Sequence, residues 1–162
     1  TINSALIPGV PVGTLQGVEI FKSMTDQQRG RFAQCMEVLQ FKKFDELVRE
    51  GDAGGSMFII LEGNVRVRKM ISGKENVITV LNAGEVFGEM SLFDQGKRSA
   101  DIVANSNGVL LRLSSEVFNR MMDKQPEVAA PFLLAIARKM SARIRADNER
   151  HKKDTIIMRS RS

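Results

Sequence analysis

The sequence predicts an α+β fold: a sandwich or jelly roll of about eight short strands, with helices before it and two helices after it. Three observations carry this. From Val38 to Leu113 short apolar runs alternate with Gly, Asn, Ser and Asp turns. Ahead of that region Thr25 and Gln28 form a capping box. Beyond it Phe132, Ile136, Met140 and Ile144 recur every four residues, with Leu133 and Ala137 alongside, which is an apolar stripe on a helix.

Residues 1–16 carry loop signals, Pro8, Gly9, Pro11 and Gly13 among them, and read as an N-terminal arm. A short helix is expected over 17–22. The capping box starts a second, which reaches Cys35 or Met36. Val38 to Phe44 and Leu47 to Arg49 are candidate strands. Glu50-Gly51-Asp52 turns the chain, and Asp52-Ala53-Gly54-Gly55 is a flexible loop. Met57 to Leu61 is a buried strand, ended by Gly63-Asn64. Val65-Arg66-Val67-Arg68 alternates strictly, so one face is buried and one wet. Ser72-Gly73-Lys74 is a hairpin tip, and Val77 to Leu81 returns as a strand closed by Asn82-Ala83-Gly84. Ala100 to Ala104 and Val109 to Leu113 pair across Asn105-Ser106-Asn107-Gly108.

Ser114 or Ser115 caps a helix running to about Lys124. Pro126 with Glu127 behind it opens another. Pro131 should kink that helix or mark its true beginning. It should reach about Lys153. The organisation expected is an arm (1–16), one domain (17–154) and a basic tail (155–162).

The composition suits one soluble domain: 43% apolar and 27% charged residues in a chain of 162. A domain near this size buries about 70% of its unfolded surface. No apolar run approaches the roughly 20 residues of a membrane span, and no secretory signal is visible. One cysteine, Cys35, cannot form an internal disulfide, which points to a reducing, cytoplasmic setting. On a helix near Phe32 and Leu39, it reads as core rather than nucleophile. The net charge of +5 is concentrated between Arg138 and Arg161. A solvated helix end explains it more simply than a nucleic-acid surface, so direct DNA binding is not favoured. The positive potential would in either case attract an anionic ligand. His151 is the single histidine, too few for a clustered metal site. No Gly-x-Ser-x-Gly, Cys-His pair or paired-carboxylate arrangement stands out, so neither enzyme chemistry nor a cofactor is expected.

The informative run is Phe87-Gly88-Glu89-Met90-Ser91-Leu92-Phe93-Asp94-Gln95-Gly96-Lys97-Arg98-Ser99-Ala100. Gly88 lets the backbone approach an oxygen closely. Residues 89–93 suit one helical turn whose N–H groups face an anion. Arg98 brings a planar, permanently charged fork. Glu89 would repel a phosphate, but it can accept from a sugar hydroxyl. The plain alternative is a surface Arg98 paired with Glu89 or Asp94 across an ordinary turn.

This run resembles the phosphate-binding cassette of the cyclic nucleotide-binding domain family, which includes bacterial catabolite activators, protein kinase A regulatory subunits and cyclic-nucleotide-gated channels. Phe87-Gly88-Glu89 and Arg98-Ser99-Ala100 stand in the family's order, with eight residues between Glu89 and Arg98. The resemblance covers roughly 18–150 and implies an eight-stranded β-roll. It implies that Arg98 pairs with a cyclic phosphate, joined by backbone N–H groups near Met90, Ser91, Ser99 and Ala100. Glu89 would accept from the ribose 2′-hydroxyl beside the Gly88 backbone. Val67 and Ile78 would wall the base. Asp147 and Asn148 fall where base-contacting residues lie on the family's long helix, and an Asn can pair an adenine edge through donor and acceptor together.

In the family, Thr at the position of Ser99 goes with cGMP, Ala is common in eukaryotic cAMP binders, and Ser is found in the cAMP-binding catabolite activator. The Ser99 hydroxyl can donate to the phosphate or reach a guanine amino group, so this residue does not fix the selectivity; the resemblance favours cAMP as ligand, with cGMP or cyclic di-GMP as alternatives. A scaffold module with a vestigial pocket is the remaining one. The expected partners are a second copy through the C-terminal helix, or an effector protein. No helix-turn-helix follows the long helix here, so the expectation is a stand-alone receptor or the sensory piece of a larger protein.

Overall fold

The computed structural model describes residues 15–94 and 96–161. The arm expected over 1–16 lies almost wholly outside the described residues. Eight strands follow one another: β1 Glu37–Phe41, β2 Glu46–Val48, β3 Ser56–Glu62, β4 Val65–Ile71, β5 Lys74–Leu81, β6 Val86–Phe87, β7 Asp101–Ala104 and β8 Gly108–Ser114. They form two antiparallel four-stranded sheets, ordered β1-β8-β3-β6 and β2-β7-β4-β5. The helices are α1 Asp26–Ala33, α2 Ser115–Lys124 and α3 Pro126–Ser160. This is the α+β roll that the resemblance implies, and the strand count agrees with the spacing in the sequence. Two residues cannot display a period, and β6 is the strand that the sequence does not announce.

Local chemistry explains the element ends. The Gln28 N–H donates to Thr25 Oγ1 at 3.1 Å, and Gln28 Oε1 accepts from the Thr25 N–H at 2.9 Å. The capping box is therefore real, and each side chain satisfies one orphan donor of the first turn. Ser114 caps α2 in the same sense, accepting from the Val117 N–H at 3.2 Å. Ser72 and Gly73 both adopt positive φ between the paired Ile71 and Lys74, the backbone that a two-residue hairpin turn requires.

The roll separates two apolar clusters. Inside it, Phe41, Phe58, Ile60, Val65, Phe87, Ile102, Ala104 and Leu110 pack together. Outside the first sheet, Val38, Met57, Ile59, Leu111 and Leu113 pack on the helices. There Phe32 lies 4.7 Å from Phe132 and 5.0 Å from Phe21, ring centre to ring centre. Alternating strand residues thus serve both layers.

Helix α3 departs from expectation in two ways. It begins at Pro126, so Pro131 lies inside it and does not mark its start. A proline inside a helix leaves the carbonyl four residues back without its donor. Here that carbonyl belongs to Glu127, and Gln28 Nε2 donates to it at 3.1 Å. The lost bond is replaced from α1. The helix also runs to Ser160, past Lys153, since no Gly or Pro follows Pro131 to stop it. Its buried residues, Val128, Ala129, Phe132 and Ile136, all fall in the first third. From Ser141 onward every described residue is exposed.

Candidate functional site

The run singled out in the sequence folds onto the β2–β3 loop. The Arg98 N–H donates to Asp52 O at 2.8 Å, and the Gly51 N–H to Arg98 O at 2.9 Å. The Gly54 N–H donates to Gly96 O at 3.2 Å, and Ala53 bridges Lys97. These bonds place the Arg98 backbone. A side chain at Gly54 would come within 2.6 Å of Ser91 Oγ, so the loop approaches the cassette through a residue that has none.

Residues Glu89–Leu92 form a single 3₁₀ turn, entered through Gly88 at φ +76°. That left-handed backbone suits glycine. An added Cβ there would lie 2.7 Å from Arg98 Nη1 and 2.9 Å from Ser56 O. Gly88 therefore holds the Arg98 guanidinium directly against the backbone beside Glu89.

Arg98 Nη1 donates to Ser91 Oγ at 2.8 Å, and Nη2 to Ser56 O at 2.8 Å. Its guanidinium carbon stands 5.9 Å from the Phe58 ring centre. Burial pulls its pKa below the usual value. Among the described residues Arg98 has no carboxylate partner. Asp94 accepts from the Gly96 N–H at 3.0 Å instead. The Glu89 or Asp94 ion pair of the plain-turn alternative is absent.

Glu89 is only 6% exposed. Its Oε1 lies 3.3 Å from Arg143 Nη2 and 3.9 Å from Lys139 Nζ, both on α3. The carboxylate therefore lies inside the protein with two cations at hand. A carboxylate oxygen has lone pairs to spare, so it can still accept from a hydroxyl.

Of the residues expected at the site, Gly88, Glu89, Ser91 and Arg98 come together. The Ser91 N–H already donates to Gly88 O at 3.0 Å, and the hydroxyl is what meets Arg98. Met90 and Ser99 are exposed, and Ala100 is buried. Val67 packs on the interior cluster of the roll. Ile78 lies on β5, exposed along almost its whole length. Asp147 and Asn148 sit on the exposed part of α3, and Asn148 shares a shallow groove with residues of that helix alone. Sequence reading misses Ser56, Lys139 and Arg143. The spacing of Lys139 and Arg143, one helical turn apart, was the available signal for the last two.

A carboxylate and a guanidinium flanking one left-handed glycine suit a ligand with one anionic group and one hydroxyl. Residues 38–125 match the family model described as the cyclic nucleotide-binding domain. The chain is 34% identical over 109 residues to human cGMP-dependent protein kinase 2, covering 65% of this chain and 14% of the kinase. It is 37% identical over 92 residues to the cyclic AMP receptor protein of Thermus thermophilus, covering 56% of this chain and 43% of that protein. The crystal structure of the N-terminal domain of a transcriptional regulator from Streptomyces coelicolor superposes with a TM-score of 0.75 at 30% identity, over 82% of this chain and 94% of that one. The chain thus spans less than half the length of these two relatives. Fold, cassette and the match over more than half its residues lead to one conclusion: the chain belongs to the cyclic nucleotide-binding domain family.

Proposed function

We propose that this chain is a receptor for a 3′,5′-cyclic mononucleotide, cAMP in the first place, and that it signals through α3 rather than by catalysis. The observation that carries this is Arg98: a half-buried guanidinium whose hydrogen bonds, among the described residues, go to two neutral oxygens at 2.8 Å each. A cation so placed gains most from an anion that arrives with the ligand. Glu89, on the far side of Gly88, takes the ribose hydroxyl. Ser99, beside Arg98 in the chain, supports cAMP by resemblance. The relatives include one named for cGMP and one named for cAMP, so both nucleotides belong in the test.

Transmission follows from who shares Glu89. Lys139 and Arg143 tie α3 to this carboxylate just beyond the helix's last buried residue, Ile136. A ribose hydroxyl bound to Glu89 changes that tie. The ligand then shifts α3 by as much as it prefers one helix position over the other. The exposed second half of α3 carries Ile144, Ile156, Ile157 and Met158, apolar groups suited to a second copy or an effector. Calorimetry with cAMP and cGMP tests the reading. Micromolar or tighter binding of at least one is expected, and no heat from either removes it.

A further inference from the structure

Arg112 is a cation for which ligand binding has so far no use. It lies on β8 between the buried Leu111 and Leu113, opposite Phe58 of β3. Leu111 and Leu113 face the helices. Arg112 faces the other way and lines a cavity of about 460 Å³ together with Arg98, Ser56, Phe58 and Leu39.

Two contacts define it. Its Nε donates to Ser56 Oγ at 3.1 Å, and its Nη1 lies 3.5 Å from Glu37 Oε2. Ser56 is therefore gripped from two sides: its hydroxyl accepts from Arg112, and its carbonyl accepts from Arg98 at 2.8 Å. Ser56 is also the first residue of β3 and follows Gly54-Gly55. Strand ends open most readily, and paired glycines give the preceding backbone the widest freedom. A side-chain tether at Ser56 counters both.

The charges are compatible with this task. Two guanidinium groups meeting at one serine repel each other. Glu37 offsets Arg112, while Arg98 has no carboxylate partner among the described residues. Arg112 is thus already compensated, and Arg98 is left to meet an anion.

We propose that Arg112 is a positioning residue for Arg98, acting through Ser56, and that it sets how firmly the site holds the phosphate of a cyclic mononucleotide. This rests on the reading of Arg98 as phosphate ligand. The effect belongs to the phosphate end, so it is equal for cAMP and cGMP. It also leaves the preference for cAMP over 2′-deoxy-cAMP, which belongs to Glu89, unchanged.

The test is calorimetry of the whole chain with cAMP, cGMP and 2′-deoxy-cAMP. Arg112→Met and Ser56→Ala should each weaken all three by about three- to tenfold, and the double variant should lose no more than either single one, as expected for residues acting as one unit. A role confined to stability would not produce that coupling with unchanged base and ribose preferences. A ligand-free readout runs beside it. The side-chain ¹⁵N signal of Arg98 should broaden in Arg112→Met, because one of its two anchors loosens. If Arg112→Met does not fold, Ser56→Ala leaves both arginines in place and carries both measurements. Parent-like affinity, additive losses in the double variant, or an unchanged Arg98 signal overturns the proposal. If the parent binds none of the three nucleotides, the receptor reading fails, and the Arg98 signal alone decides the positioning role.

Discussion

Glu89 and Arg98 are both drawn into the protein, but their surroundings differ in kind. The carboxylate has Lys139 and Arg143 beside it. The guanidinium has a hydroxyl, a carbonyl and a ring face. A buried charge with company stabilises the helix that supplies it, whereas a half-buried charge among neutral groups is kept at a cost in desolvation. One end of the cassette is therefore tied to the fold, and the other, on the function proposed above, is poised for a ligand.

The largest effect expected is at the poised end. Arg98→Ala should weaken cyclic nucleotide binding by about 2–5 kcal/mol by calorimetry, as for one partner removed from a buried charge pair. Without ligand, Arg98→Met should leave the Tm unchanged or raise it, since an uncompensated charge has gone. A clear fall in Tm would erase the difference between the two ends.

Gly88→Ala comes next. Its Cβ meets Arg98 Nη1 and Ser56 O at under 3 Å, in a left-handed backbone. A loss of about 1–3 kcal/mol in chemical denaturation is expected from such strain. A parent-like variant would mean that the guanidinium does not rest against this glycine.

Glu89→Gln tests the tied end. It should cost about 1 kcal/mol of stability, screened by salt. It should also narrow the preference for a ribose over a 2′-deoxyribose ligand. Unlike Arg98→Met, it lowers the Tm without ligand, and an unchanged Tm would show that α3 gains nothing from the carboxylate.

The smallest effect is that of Arg143→Ala. Arg143 is half exposed, so less than about 1 kcal/mol is at stake. Its signature is local: faster amide exchange over 137–150 with the roll unaffected. Equal exchange in parent and variant would remove Arg143 as a tether.

Much of this is legible in the sequence itself. Gly88, Glu89 and Arg98 lie in one run, and their residue types state a chemistry that a single loop can express. The capping box at Thr25 and Gln28 and the turn at Ser72-Gly73 are local for the same reason. Pro131 shows where local reading ends. Its effect on α3 depends on a carbonyl that Gln28 reaches across 99 residues of sequence. Ser56 escapes because nothing near it in the chain marks it, and Lys139 and Arg143 carry only their spacing of one helical turn, which does not say what they face. Ile78 and Asn148 were expected beside the base, yet both lie on surfaces that the roll leaves exposed.

By itself, then, the sequence determined the strand-and-helix texture and the pair of opposite charges around one glycine, because both follow from short-range periodicity and residue chemistry. Only the tertiary structure decided which charge is compensated and which is not. Compensation depends on distances of a few ångströms between side chains from β3, the cassette and α3, and chain order holds no record of those distances.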